Sequence, residues 1–118
     1  MNVKFAAAIS IPLSLLLSGC GKSWDGRYEA DGFRPGESIL EIKGNTAIRS
    51  MYKYGQLMTS REFNVEQKSD KVIFTAKAGE KTSYVFALAE DDRGLKCISD
   101  SCNRFGSLLS KGWNRVDN

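Results

Sequence analysis

Apolar and polar residues alternate along most of the chain beyond Ser23. In "WDGRYEA" Trp24, Gly26, Tyr28 and Ala30 fall on one face of an extended strand, and Asp25, Arg27 and Glu29 on the other. "SILEIKG" repeats the alternation and meets Gly44-Asn45, a pairing typical of hairpin turns. "TAIRSMYKY", Thr46 to Tyr54, brings Ile48 and Tyr52 into phase, with a turn expected at Gly55-Gln56. "LMTSREFNVEQ" leads to the polar turn "KSDK"; "VIFTAKA" runs from Val72 to Ala78 and turns at Gly79-Glu80. "TSYVFALA" sets Tyr84, Phe86 and Leu88 on one face, and "EDDRG" reads as a loop whose Gly94 supplies a positive φ. "LKCIS" and "WNRV" complete the pattern.

About eight short strands, with turn signals every eight to twelve residues or so, predict an all-β fold: a small antiparallel meander, closed as a barrel or folded as a sandwich. Thr, Val, Ile, Tyr and Phe are frequent, and glycine interrupts nearly every window that could be helical. One helical turn is expected in "RFGSLLSKG", near Ser107 to Ser110.

The first nineteen residues break the pattern. Lys4 is their only charge, Ala6 to Leu17 are apolar or small, and Ser18-Gly19 precede Cys20. That is the layout of a secretory signal, which would take a helical form in the precursor. The apolar run is shorter than the roughly 20 residues a membrane-spanning helix needs. Leu17-Ser18-Gly19-Cys20 resembles the lipobox of bacterial lipoproteins. The resemblance implies cleavage before Cys20, a diacylglyceryl group on its thiol and acylation of the new amine. Several acyl chains on one residue give stable anchoring where one would be marginal. The expected organisation is a signal peptide at 1–19, a lipidated terminus and tether at 20–23, and one small β-domain at 24–118. Gly21 stands where enteric lipoproteins retained in the inner membrane carry aspartate, which favours the outer membrane of a Gram-negative envelope.

Lipidation also resolves an odd cysteine count. The chain has three cysteines, and with Cys20 acylated, Cys97 and Cys102 remain as a pair in an oxidising compartment. The loop between them is short, so a bridge clamps "ISDS" locally and adds little chain-wide constraint. Two cysteines make half a zinc site, and the chain has no histidine to complete one.

Charge and chemistry narrow the function further. The formal net charge is +3, and the leader removes Lys4 and no acid, leaving the mature chain near balance. Near balance and an outward address argue against nucleic acid. Without histidine there is no Ser-His or Cys-His nucleophile. Glu90-Asp91-Asp92, the one dense acidic cluster, has Arg93 beside it and reads as a solvated turn. Glycines are dispersed at turns, with no phosphate-cradling run. No enzyme, cofactor or metal is expected.

A binding module is the expectation that survives: an envelope lipoprotein held to membrane lipid by Cys20 and docking on an envelope protein, in assembly, exclusion or inhibition. The docking features are sheet edges and the clamped segment "CISDSCNRF", which offers Asn103, Arg104 and Phe105 on a rigid loop. Lys96, Lys111 and Arg115 are expected to give that end a mild positive bias. Trp24 at the start of the first strand, with Trp113-Asn114-Arg115 at the end, resembles lipocalins, in which an early Trp packs beneath a late Arg at the barrel floor. That resemblance implies the alternative, a carrier of a small apolar molecule. The many Tyr and Phe side chains instead predict a filled interior, with the tryptophans in the core and Arg115 solvated.

Overall fold

The computed structural model describes residues 23–79, 81–90 and 93–116. Eight strands follow in order: β1 (Gly26–Ala30), β2 (Ser38–Lys43), β3 (Thr46–Lys53), β4 (Gln56–Gln67), β5 (Val72–Ala76), β6 (Ser83–Leu88), β7 (Gly94–Cys97) and β8 (Gly112–Val116). Each pairs antiparallel with the next, and β8 returns to β1, with Arg27 opposite Val116 and Ala30 opposite Trp113. The meander is therefore a closed barrel and not a sandwich. The expected signal segment and the tether through Lys22 lie outside the described residues.

Alternation fills the interior. Tyr28, Leu40, Ile42, Phe63, Phe74, Phe86, Leu95 and Trp113 are all buried. Phe74 meets Phe86 edge-on at 5.5 Å between ring centroids and Phe63 at 6.2 Å, and Phe63 meets Tyr84 at 6.3 Å. An eight-stranded barrel is just wide enough for its side chains, and burying each large apolar group stabilises the fold by about 1.5–3 kcal/mol.

Four local details differ from the sequence pattern. Ile48 and Tyr52 do share a face of β3, but it is the outer one, because small Ala47 sits inward opposite the Phe63 ring. The β3–β4 turn is Tyr54-Gly55 and not Gly55-Gln56; φ is 54° at Tyr54 and 78° at Gly55, the shape of a type I′ turn. Gly94 adopts no positive φ. It lies in β7 with the backbone of Trp113 where a Cβ would stand, so close strand approach, not turning, demands glycine there. The helical turn is a 3-10 turn at Asp100–Asn103 and not at 107–110. Gly106 breaks the chain at φ 82°, and Ser107 Oγ bonds Leu109 N–H and C=O in place of a helical ladder.

The topology sorts the connections into two ends. One end, the tryptophan end, holds Trp24, the β2–β3 turn, the β4–β5 turn and the β6–β7 connection. The other, the clamp end, holds the β1–β2 loop (31–37), the β3–β4 turn, the β5–β6 turn and the β7–β8 loop (98–111). From the clamp end one feature projects. β4 pairs with β3 from Gln56 to Asn64 but with β5 only from Phe63 to Gln67. The first seven residues of β4 are all exposed, so the β3–β4 hairpin rises past the rim as an arm.

Candidate docking end

The β7–β8 loop is held by bonds of several kinds. The Cys97 and Cys102 sulfurs sit at disulfide distance with their Cα atoms 6.5 Å apart, inside the range for a bridge. Ser101 Oγ donates to Ser83 C=O at 2.6 Å, and Ser99 Oγ accepts the Val85 amide at 3.0 Å. Leu109 and Cys102 turn into the core, and the Leu108 amide donates to Tyr84 Oη at 3.1 Å. Polar groups on the inner side thus fasten the loop across the rim.

What the loop presents outward is apolar and basic. Phe105 is fully exposed, and Arg104 and Asn103 beside it are exposed as well. All three sequence candidates therefore stand together on one held surface, and Phe105 plays no part in the core. Ile98, where the loop leaves β7, is also exposed.

The arm, missed as a site from the sequence, carries the same chemistry. Tyr54 at its tip is 91% exposed, and Leu57 and Met58 behind it are exposed too. The β3–β4 register shifts at Met51/Tyr52 so that Met58 is the extra residue of a bulge. Among the described residues seven large hydrophobic side chains are exposed. Six of them, Phe33, Tyr54, Leu57, Met58, Ile98 and Phe105, belong to the arm and loops of the clamp end; Ile48 is the exception. Exposed apolar residues scattered singly are ordinary; here they are concentrated at one end. The signal available in the sequence was Tyr54 itself, since a tyrosine preceding glycine in a hairpin turn serves neither the turn nor a core.

Arg49 joins arm to loop. Its Nη1 donates to Leu108 C=O at 2.8 Å, and Nε and Nη2 donate to the buried Ser38 Oγ at 3.3 and 3.2 Å. Burial lowers its pKa from the ordinary arginine value, because removing water disfavours the charged form. Among the described residues no carboxylate forms an ion pair with it. Directly opposite on β4 stands Arg61, and no residue from Arg49 to Arg61 is acidic.

Sheet edges, the other expected docking feature, are removed by barrel closure except along the arm. The expected positive bias also needs correcting. Lys96 and Lys111 are at the clamp end, but Arg115 points to the tryptophan end. Its guanidinium lies 5.6 Å over the Tyr28 ring, and Nη2 donates to Asp25 C=O at 2.6 Å. Gly26 makes room for it, since a Cβ there would stand 2.9 Å from the guanidinium. Arg115 is thus tied down and not merely solvated. Trp24 sits beside this group, its Nε1 donating to Lys68 C=O at 2.7 Å and its own C=O accepting Tyr28 Oη at 2.8 Å. Comparison with family models, curated proteins and solved structures finds no match.

Proposed function

We propose that the protein is an envelope lipoprotein that works as a non-catalytic protein-binding module, anchored by Cys20 and docking through its clamp end. The carrying observation is the placement of the exposed apolar side chains. Six of the seven large ones sit on the end opposite Trp24. Cys20 precedes Ser23 by only three residues, a reach of about 10 Å, so its acyl chains would hold the tryptophan end toward the membrane. The clamp end then faces away from the lipid, toward whatever the envelope offers.

Apolar groups turned away from the anchoring membrane fit a protein partner better than the lipid itself. Asn103, Arg104 and Phe105 form one contact surface on the held loop, with the exposed aromatic and arginine that interface hot spots favour. The filled interior weighs against the alternative of an apolar-ligand carrier, because its large side chains occupy the space a ligand would need.

The test has two arms. Cys20→Ser should abolish acyl labelling and normal processing; continued labelling with membrane fractionation would overturn the anchor. A photo-crosslinking residue at Phe105 should capture one envelope protein in living cells, and Arg104→Glu should abolish that capture while leaving the melting temperature nearly unchanged. Capture unaffected by Arg104→Glu would move the interface off this loop.

A further inference from the structure

Among the described residues β4 keeps an unpaired edge in a barrel otherwise closed on itself. Glu62 C=O accepts the Lys77 amide at 3.2 Å, which ends the bonding toward β5. By strand alternation the next amide and carbonyl aimed the same way belong to Ser60, and no described strand meets them. Edges are blunted by proline, charge, bulges or a cover; here a bulge at Met58 and the charge of Arg61 guard against indiscriminate pairing, and Gln56 to Arg61 contains neither proline nor acid. Leu57 and Met58 lie exposed along it.

Charge says what the edge is suited to receive. Arg49 and Arg61 are direct cross-strand partners, and like charges in that position destabilise a hairpin. Arg49 bonds only neutral oxygens, and Arg61 has no ion-pair partner among the described residues. Lys53 adds a third cation. A second copy of the chain adding edge to edge would bring these cations against themselves, which disfavours self-pairing. At the tip Tyr54 holds a left-handed φ of 54° while 91% exposed. That conformation costs a non-glycine residue stability, and such outliers cluster at functional sites.

We propose that an acidic, extended segment of a partner protein adds as a strand to the free edge of β4, its carboxylates facing Arg61. Main-chain bonds to Ser60 supply affinity, and Arg61 selects acidic side chains, which is the division of labour in strand addition. The inference rests on the clamp end being the docking end and names the partner's chemistry there.

The acylated protein, in detergent, should be titrated by NMR with a peptide of about ten residues, a typical strand length or longer, alternating Thr and Glu. The same peptide with Lys for Glu, and anionic and neutral phospholipid vesicles, serve as competitors. The Glu peptide should slow exchange of the Ser60 amide, and the Lys peptide should not. Ser60→Pro, which deletes the outward N–H, should weaken binding at least tenfold, whereas Ser60→Ala should not. Arg61→Glu should reverse the preference between peptides even if Ser60→Pro disturbs the arm. Protection confined to Ser99–Leu109, or binding indifferent to peptide charge, would overturn strand addition. Anionic vesicles binding the arm in preference to the Glu peptide would assign it to lipid and likewise overturn the inference. Partner capture through Phe105 that survives Ser60→Pro would leave the docking end standing and remove the edge from it.

Discussion

The two ends of this barrel both bury large aromatics but differ in what they leave in water. At the tryptophan end a large aromatic is sunk and a network of neighbouring polar groups holds it. The Trp24 amide donates to Gln67 Oε1 at 2.9 Å, and Gln67 Nε2 donates onward to Asp25 Oδ1 at 2.7 Å and Gly44 C=O at 2.8 Å. The β2–β3 turn, the end of β4, the start of β1 and the end of β8 meet there. At the clamp end Trp113, Tyr84 and Leu109 are sunk as well, but the outer side of its loops and arm also carries large apolar groups. Arg49, Ser99, Ser101 and the disulfide fasten the loop from beneath, leaving Phe105 and Tyr54 in water. Burial of apolar surface drives folding, so one end is built for stability. The other leaves apolar surface in water, the surface that the proposed docking would use.

Truncating one aromatic at each end puts that contrast to its hardest test. Trp24→Ala removes a buried ring and leaves Lys68 C=O without its donor, and should cost about 3–5 kcal/mol in urea unfolding. Phe105→Ala should change stability by no more than about 0.5 kcal/mol. Similar losses at both positions would erase the distinction between the ends.

The clamp gives the next largest effect. Replacing Cys97 and Cys102 together with serine should destabilise by about 1–3 kcal/mol, because the closed loop is short. The loss should be local: amides from Ser99 to Leu109 should exchange faster, while those of β5 and β6 keep most of their protection. Uniform acceleration around the barrel would mean that the bridge supports the fold as a whole.

Much of this molecule was legible from alternation. Trp24, Tyr28 and Ala30 announced the inner face of β1, and Phe74 and Phe86 that of β5 and β6, because a half-buried strand can satisfy both core and solvent only at period two. Closure was not legible. Whether β8 returns to β1 depends on stagger and twist, to which no single residue testifies. The clamped loop was half legible: its cysteines marked a clamp, but only the inward turn of Leu109 and Cys102 sends Phe105 outward. The arm was hidden because pairing with β3 continues, through a bulge, past the point where β5 stops. Strand length relative to its neighbours is a property of three segments, and the β4 sequence reports on only one.

Tyr28 sharpens the account of the tryptophan end through pH. Burial raises its phenol above the ordinary value; Arg115 opposes that shift and Asp25 adds to it. The folded state therefore holds the proton more tightly than the unfolded chain does. This contribution is complete below the unfolded value of about 10 and is lost as pH rises through the higher folded one. Tyr28→Phe should cost about 1 kcal/mol at neutral pH, through the bond to Trp24 C=O. It should also flatten the alkaline decline of stability. An unchanged alkaline limb would show that this phenol ionises as freely folded as unfolded.

The smallest effect concerns Tyr54 and has the opposite sign. Its φ of 54° lies in the region that asparagine tolerates far better than tyrosine does. Being 91% exposed, the ring gains little from packing in return. Tyr54→Asn should therefore stabilise the protein by a few tenths of a kcal/mol, up to about 1, while weakening capture of a partner at the clamp end. Stability gained and binding lost in one substitution is what a residue held for function and not for folding should show. If Tyr54→Asn leaves capture untouched, the tip of the arm is no part of the interface. If it destabilises, the turn needs the tyrosine, and the strain at the tip loses its functional meaning.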